Sequence, residues 1–273
     1  MSTYPTIWMT SGSVIRTGQQ DCGYKRWLLY HAGVNGVGYR KKAQAIPLAT
    51  GSGVHRGMER IGGWIIDWQA ANAGRRLLSV PDEVIGWAAA EAAAEYEQGA
   101  WARGLELSAR DATTIESYET LIREQATLIE SQVWIYAIVR LPFMLARAKL
   151  LAVEAEETPV ILCTCGLGDW FGDVTQHLAR GCQGYCTQGR SDFLWDVIDP
   201  SAALGGQPSF IEYEEFKTKA TPNYGWDNAW EHSAQLLLNM EAASRRIGRS
   251  VEQAYVPVLY KGKRDKLNRD DQF

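Results

Sequence analysis

A chain of 273 residues with 46% hydrophobic and 22% charged residues holds enough apolar material for one large packed domain, and its composition is that of an ordinary globular protein. Its net charge of −4 excludes a protein that coats nucleic acid through overall positive charge, because phosphate neutralisation supplies most of such binding. Any contact with phosphates must then be local, through the basic clusters Arg40-Lys41-Lys42, Arg75-Arg76, Arg245-Arg246 with Arg249, and Lys261 to Arg269.

In chain order, Thr10–Ala32 carries a helical pattern ending in Trp27, Leu28, Leu29 and Tyr30, and a Gly-rich connection follows from Gly33 to Gly38. A second helix is predicted from near Gly51 through His55, Met58, Ile61, Trp64, Ile65 and Trp68, whose spacing of three and four makes one face apolar. Pro81 to Glu154 reads as almost pure helix: Ala88–Ala94 has high intrinsic propensity, Asp111 is a plausible N-cap, and Pro142 should kink or divide the last piece. The character changes at Pro159. Val160–Cys165, Asp192–Ile198 and Phe210–Thr218 read as strands, Trp226–Ile247 as an amphipathic helix, and Tyr255–Tyr260 as a final strand. No repeat, linker, secretory leader or uninterrupted membrane-length apolar run is evident; Arg140, Pro142, Arg147 and Lys149 interrupt Trp134–Leu151. A cytoplasmic protein without a membrane segment is the expectation.

The chemistry concentrates in Gly189-Arg190-Ser191-Asp192 and Glu215-Phe216-Lys217. Alternate residues of a strand share a face, so Glu215 and Lys217 point together while Phe216 points oppositely. A carboxylate there can hold a hard divalent cation, and an ammonium beside it can orient water or stabilise developing negative charge. Asp192, on a preceding strand, would complete a metal-binding corner, and the Phe216 backbone carbonyl could add an oxygen. The competing account of Glu215 and Lys217 is an ordinary surface ion pair.

The order of segments resembles the RecB-like branch of the PD-(D/E)XK nucleases, which includes CRISPR-associated exonuclease-like members. The matching pieces are Ser13 through Cys22-Gly23-Tyr24-Lys25-Arg26-Trp27-Leu28, then Gly51-Ser52-Gly53-Val54-His55, Gly189-Arg190-Ser191-Asp192, Glu215-Phe216-Lys217-Thr218, and a helix bearing Gln235. The resemblance implies an α/β, restriction-endonuclease-like fold: a central mixed β-sheet flanked by helices, with a large helical N-terminal half. It implies one nuclease domain over 1–273, with 81–154 a helical segment or insertion and 159–260 the catalytic sheet core. His55, Asp192, Glu215 and the Phe216 carbonyl would hold Mg²⁺ or Mn²⁺, with Lys217 catalytic and Gln235 positioning nucleophile or DNA. The family's aromatic four residues after that glutamine is Asn239 here.

The implied activity is metal-dependent hydrolysis of DNA, single- or double-stranded, first as an exonuclease in recombination, repair or phage and mobile-element processing. The endonuclease alternative stays open. A helicase or recombination protein is an expected partner, since no phosphate-binding loop of the Gly-x-x-x-x-Gly-Lys-Ser/Thr type is present. The rival reading is a catalytically inactive nucleic-acid-binding or zinc-stapled interaction module with the same fold. Cys163, Cys165, Cys182 and Cys186 could bind structural zinc, or be small buried hydrophobes. An iron–sulfur cluster of the kind some relatives build is not expected, because no cysteine follows Cys186 to join Cys22.

Overall fold

The computed structural model describes residues 8–10, 46–102, 115–156, 160–162, 185–187, 190–198, 209–219 and 234–260. These form a mixed α/β protein with four helices among the described residues. The chain divides into two compact units, neither contiguous in sequence. The first gathers 1–42, 151–213 and 228–254, and the second 43–150, 214–227 and 255–273.

In the first unit, β1 (Trp8–Thr10) runs parallel to β4 (Tyr185–Thr187), which pairs antiparallel with β3 (Val160–Leu162). A four-stranded sheet takes the order β2 (Ala148–Glu156), β5 (Arg190–Val197), β6 (Phe210–Glu214) and β8 (Val251–Tyr255). The central strands β5 and β6 are buried on both faces, with Phe193, Trp195, Ile211 and Tyr213 all fully covered. That burial takes in polar groups as well as apolar ones, Ser191 and Asp192 on β5 and Glu212 and Glu214 on β6, whereas the edge strand β8 buries only Val251. Helix α4 (Ala234–Ile247) packs against β5 and β3. It stops at Gly248, whose φ of +67° is the left-handed conformation that ends helices, and Arg245 and Arg246 complement its C-terminal dipole.

The second unit is a layer of three mutually packed helices, α1 (Ile46–Ala71), α2 (Asp82–Ala102) and α3 (Ile115–Leu145), with the parallel pair β7 (Lys217–Lys219) and β9 (Val258–Tyr260). Helix α2 buries Ala88, Ala89, Ala92 and Ala93, a small-residue face that admits close neighbours. Helix α1 buries Val54, Met58, Ile61 and Ile65; of the predicted apolar stripe Met58, Ile61 and Ile65 are core, while Trp64 and Trp68, expected there too, are only half-buried. Gly53 and Gly57 of α1 lie so close to α3 that an added Cβ would sit 2.4 Å from Ile129 Cδ1 and from Val133 Cγ2 respectively.

Several expectations need correcting. The tail of the stretch read as helix, Ala148–Glu156, is a strand: Ala148, Leu150 and Ala152 are buried in alternation with more exposed neighbours, a period of two. Helix α1 starts before Gly51, at Ile46, with Pro47 in its first turn where a missing N–H costs nothing. Pro142 does not divide α3 but sits in its last turn. Of the strand expected over Val160–Cys165 the described part, Val160–Leu162, is β3, and of the helix expected over Trp226–Ile247 the described part, Ala234–Ile247, is α4; 163–165 and 226–233 lie outside the described residues. The final strand is two pieces, β8 and β9, separated by Val256 and Pro257. The stretch Tyr118–Leu145 has, by length and composition alone, enough apolarity to cross a membrane, more than its interrupting charges led one to expect. Burial of Ile122, Ile129, Val133, Tyr136 and Leu141 within the helical layer accounts for part of that apolarity. Asp111, Cys22, Cys163, Cys165, Cys182, 11–45 and 261–273 lie outside the described residues.

Candidate functional site

In the first unit, Asp192 stands third in β5 and is 5% exposed, between the fully buried Ser191 and Phe193. Its strand is pinned where it starts. The Tyr213 hydroxyl on β6 donates to the Arg190 carbonyl at 3.1 Å, and the Asn239 amide on α4 donates to the Tyr213 hydroxyl at 3.0 Å. Asn239 is itself buried, so this polar chain is shielded from competing water. Asn239 thus has a specific task, ordering the strand that carries Asp192.

A carboxylate oxygen of Glu154, on the neighbouring strand β2, lies within 4.8 Å of one on Asp192. Two carboxylates this close offer oxygens that one divalent cation could share. Glu154 also has φ +41°, an uncommon conformation for a residue with a side chain. The sequence reading missed Glu154 because it closed a segment assigned to helix. The period of two that Glu154 follows shows in the burial of Ala148, Leu150 and Ala152 and not in residue type, since Leu151 and Val153 are apolar too.

In the second unit, the expected strand over Phe210–Thr218 is broken: Glu215 and Phe216 separate β6 from β7. The reason is visible in the register. Lys217 pairs with Val258, and its N–H donates to the Pro257 carbonyl at 3.0 Å; the Glu215 N–H donates to the Tyr255 carbonyl at 3.0 Å. Both bonds belong to one parallel ladder, in which the next donor toward the Glu215 carbonyl would be the nitrogen of residue 257. Proline has no N–H, so that rung cannot form and the ladder lapses there.

The face-sharing of Glu215 and Lys217 survives this lapse. The Lys217 ammonium donates directly to Glu215 Oε1, with the lysine partly exposed and the carboxylate nearly buried. Phe216 points into the core, fully buried, and packs edge-on against His55 of α1 (centroids 6.0 Å apart) and Tyr136 of α3 (4.7 Å). One turn before His55, Gly51 faces Thr218, whose hydroxyl oxygen would lie 3.1 Å from an added Cβ. The four-residue spacing of Gly51 and His55 therefore lays one face of α1 along Phe216–Thr218. Because the Glu215 and Lys217 N–H groups both turn toward the β8–β9 side, alternation turns the Phe216 carbonyl toward the opposite edge.

The predicted residues accordingly fall into two sets. Asp192 stands in the first unit with the unforeseen Glu154. His55, Glu215, Phe216 and Lys217 stand together in the second. Gln235 occupies the first turn of α4, and Cys186 lies in β4. The three other cysteines of the zinc expectation lie outside the described residues. No model of a known protein family matches this chain, and no curated protein matches it.

Proposed function

We propose that this chain is a divalent-metal-dependent deoxyribonuclease with a restriction-endonuclease-like core, of the PD-(D/E)XK type. The observation that carries the reading is the carboxylate pair on adjacent strands, Glu154 and Asp192, within 4.8 Å of each other. Hard oxygen donors at such spacing suit Mg²⁺ or Mn²⁺. Support comes from the chain order. Three strands neighbouring one another in sequence order bear Glu154, Asp192 and the lead into Glu215-x-Lys217, then follow the helix with Gln235 and a fourth strand beside the third.

The residues fit a divalent cation, which when bound would polarise a phosphate and ease deprotonation of water. Asp192 and Glu154 would hold it in the first unit. His55, Glu215 and the Phe216 carbonyl are the further ligands that the resemblance assigns. Lys217 carries the proton and charge work: its ammonium, held by Glu215, orients the attacking water and offsets charge growing on the phosphate. Gln235 would position nucleophile or DNA. In the wider reading the enzyme is an exonuclease of recombination, repair or mobile-element processing, working on DNA opened by a separate helicase.

The test is digestion of single- and double-stranded DNA with Mg²⁺ or Mn²⁺ by the natural chain, Lys217→Ala and Asp192→Asn. The natural chain should degrade DNA only with metal, and each variant should lose about 100-fold or more in rate, the scale seen when a charge-stabilising group is removed. A natural chain inert on both substrates with either metal would sink the proposal, as would variants that digest at its rate.

A further inference from the structure

Glu214 immediately precedes the Glu215–Lys217 pair, and its carboxylate is fully buried. Such a group persists in the interior only where a cation and hydrogen bonds compensate its lost hydration. Its partner is Arg140 of α3, whose Nε donates to Glu214 Oε1 at 3.1 Å from a side chain only 14% exposed. The same guanidinium lies 3.9 Å from the centroid of the Tyr255 ring, with the Phe143 ring at 5.5 Å on its own helix. Tyr255 is the residue whose carbonyl receives the Glu215 N–H. Arg140 thus grips both sides of the ladder beside Glu215, one by a charged hydrogen bond and one by stacking.

This grip falls where the ladder is weakest. The rung to the Glu215 carbonyl is the one that Pro257 cannot supply. We infer that Arg140 is a positioning residue: acting through Glu214 and Tyr255, it sets the placement of the Glu215–Lys217 pair in place of the missing rung. The inference rests on the nuclease reading for its functional meaning, but its geometric content stands apart from it. A buried ion pair contributes little net stability compared with apolar residues of the same shape, so geometry rather than stability is the property that a charged, directional clamp supplies here.

Lysine retains the charge of arginine but lacks the planar fork and the stacking surface, so Arg140→Lys separates the two contributions. The double variant Arg140→Gln with Glu214→Gln removes both charges and serves where the single change disturbs folding. Two readouts are taken on the full chain. The first is acylation of Lys217 by an amine-selective reagent, resolved by peptide mass spectrometry and normalised to the exposed Lys149. Release of Lys217 from Glu215 should raise its normalised labelling several-fold in both variants, whether or not the chain cuts DNA. Labelling equal to the natural chain in both variants would overturn the inference. The second is steady-state DNA digestion. There kcat should fall about 100-fold, the loss that roughly an ångström of misplacement brings, with KM little changed. A raised KM at unchanged kcat would also overturn it, since that marks lost binding rather than lost placement. A natural chain inactive on DNA would remove the nuclease reading while the labelling still decides the role of Arg140.

Discussion

Glu154 combines a backbone held at φ +41° with a carboxylate within 4.8 Å of that of Asp192. Glycine adopts positive φ freely, so Glu154→Gly should raise stability by about 1 kcal/mol through the backbone. Glu154→Gln keeps the backbone cost, so it should stabilise less. Thermal unfolding in chelator and again with millimolar Mn²⁺ tests both. The natural chain should gain melting temperature with metal, as any ligand specific to the folded state produces, and both variants should lose most of that gain. Equal metal-induced shifts in all three chains would exclude Glu154 as a ligand. Asp192 was legible in the sequence because it stands in a short polar motif ahead of an apolar run. Glu154 was not, because an acidic end to an alanine- and leucine-rich stretch is also what a helix offers, and only the neighbouring strand gives that carboxylate a partner.

At the level of elements, the approach of α1 to α3 is set by two glycines whose environments differ. At Gly57 an added methyl meets Val133, whose Cγ2, Cγ1 and Cβ crowd it at 2.4, 3.2 and 3.4 Å and whose β-branched stem cannot swing away. Gly57→Ala should therefore cost about 1–3 kcal/mol by overpacking, despite the gain in helix propensity. At Gly53 the closest atom is the flexible end of Ile129, so Gly53→Ala should cost less. Gly63 has open space, and Gly63→Ala should stabilise by about 0.5–1 kcal/mol. Urea midpoints of the three variants test this order, and a Gly57→Ala chain as stable as Gly63→Ala would refute the close packing. Periodicity made α1 readable, since its apolar spacing is also its buried face. The strand break at Glu215 and Phe216 was not readable, because the proline responsible stands about forty residues away and acts only through strand register.

For the whole molecule, no linker in the sequence marks the two units. Within the described residues the chain passes between them at 150/151, 213/214 and 254/255, inside β2, β6 and β8, where the composition is that of ordinary strands. Segments from opposite parts of the sequence consequently complete each unit, and the helical layer illustrates this best. Phe216, fully buried against His55 and Tyr136, belongs to a segment that follows β2 to β6 in the sequence. A fragment of residues 43–150 retains α1, α2 and α3 but leaves the Phe216 site empty. Removing a buried Phe side chain typically costs 3–5 kcal/mol, a large share of the stability of a domain this size. Such a fragment should keep helical far-UV circular dichroism while losing its near-UV signal and its sharp melting transition, and a cooperative melt like that of the full chain would show otherwise. The practical result concerns synthesis as much as structure. A ribosome that has released residue 150 has delivered every helix of that layer but not its aromatic plug, so the layer can reach its final packing only after more than sixty further residues have emerged.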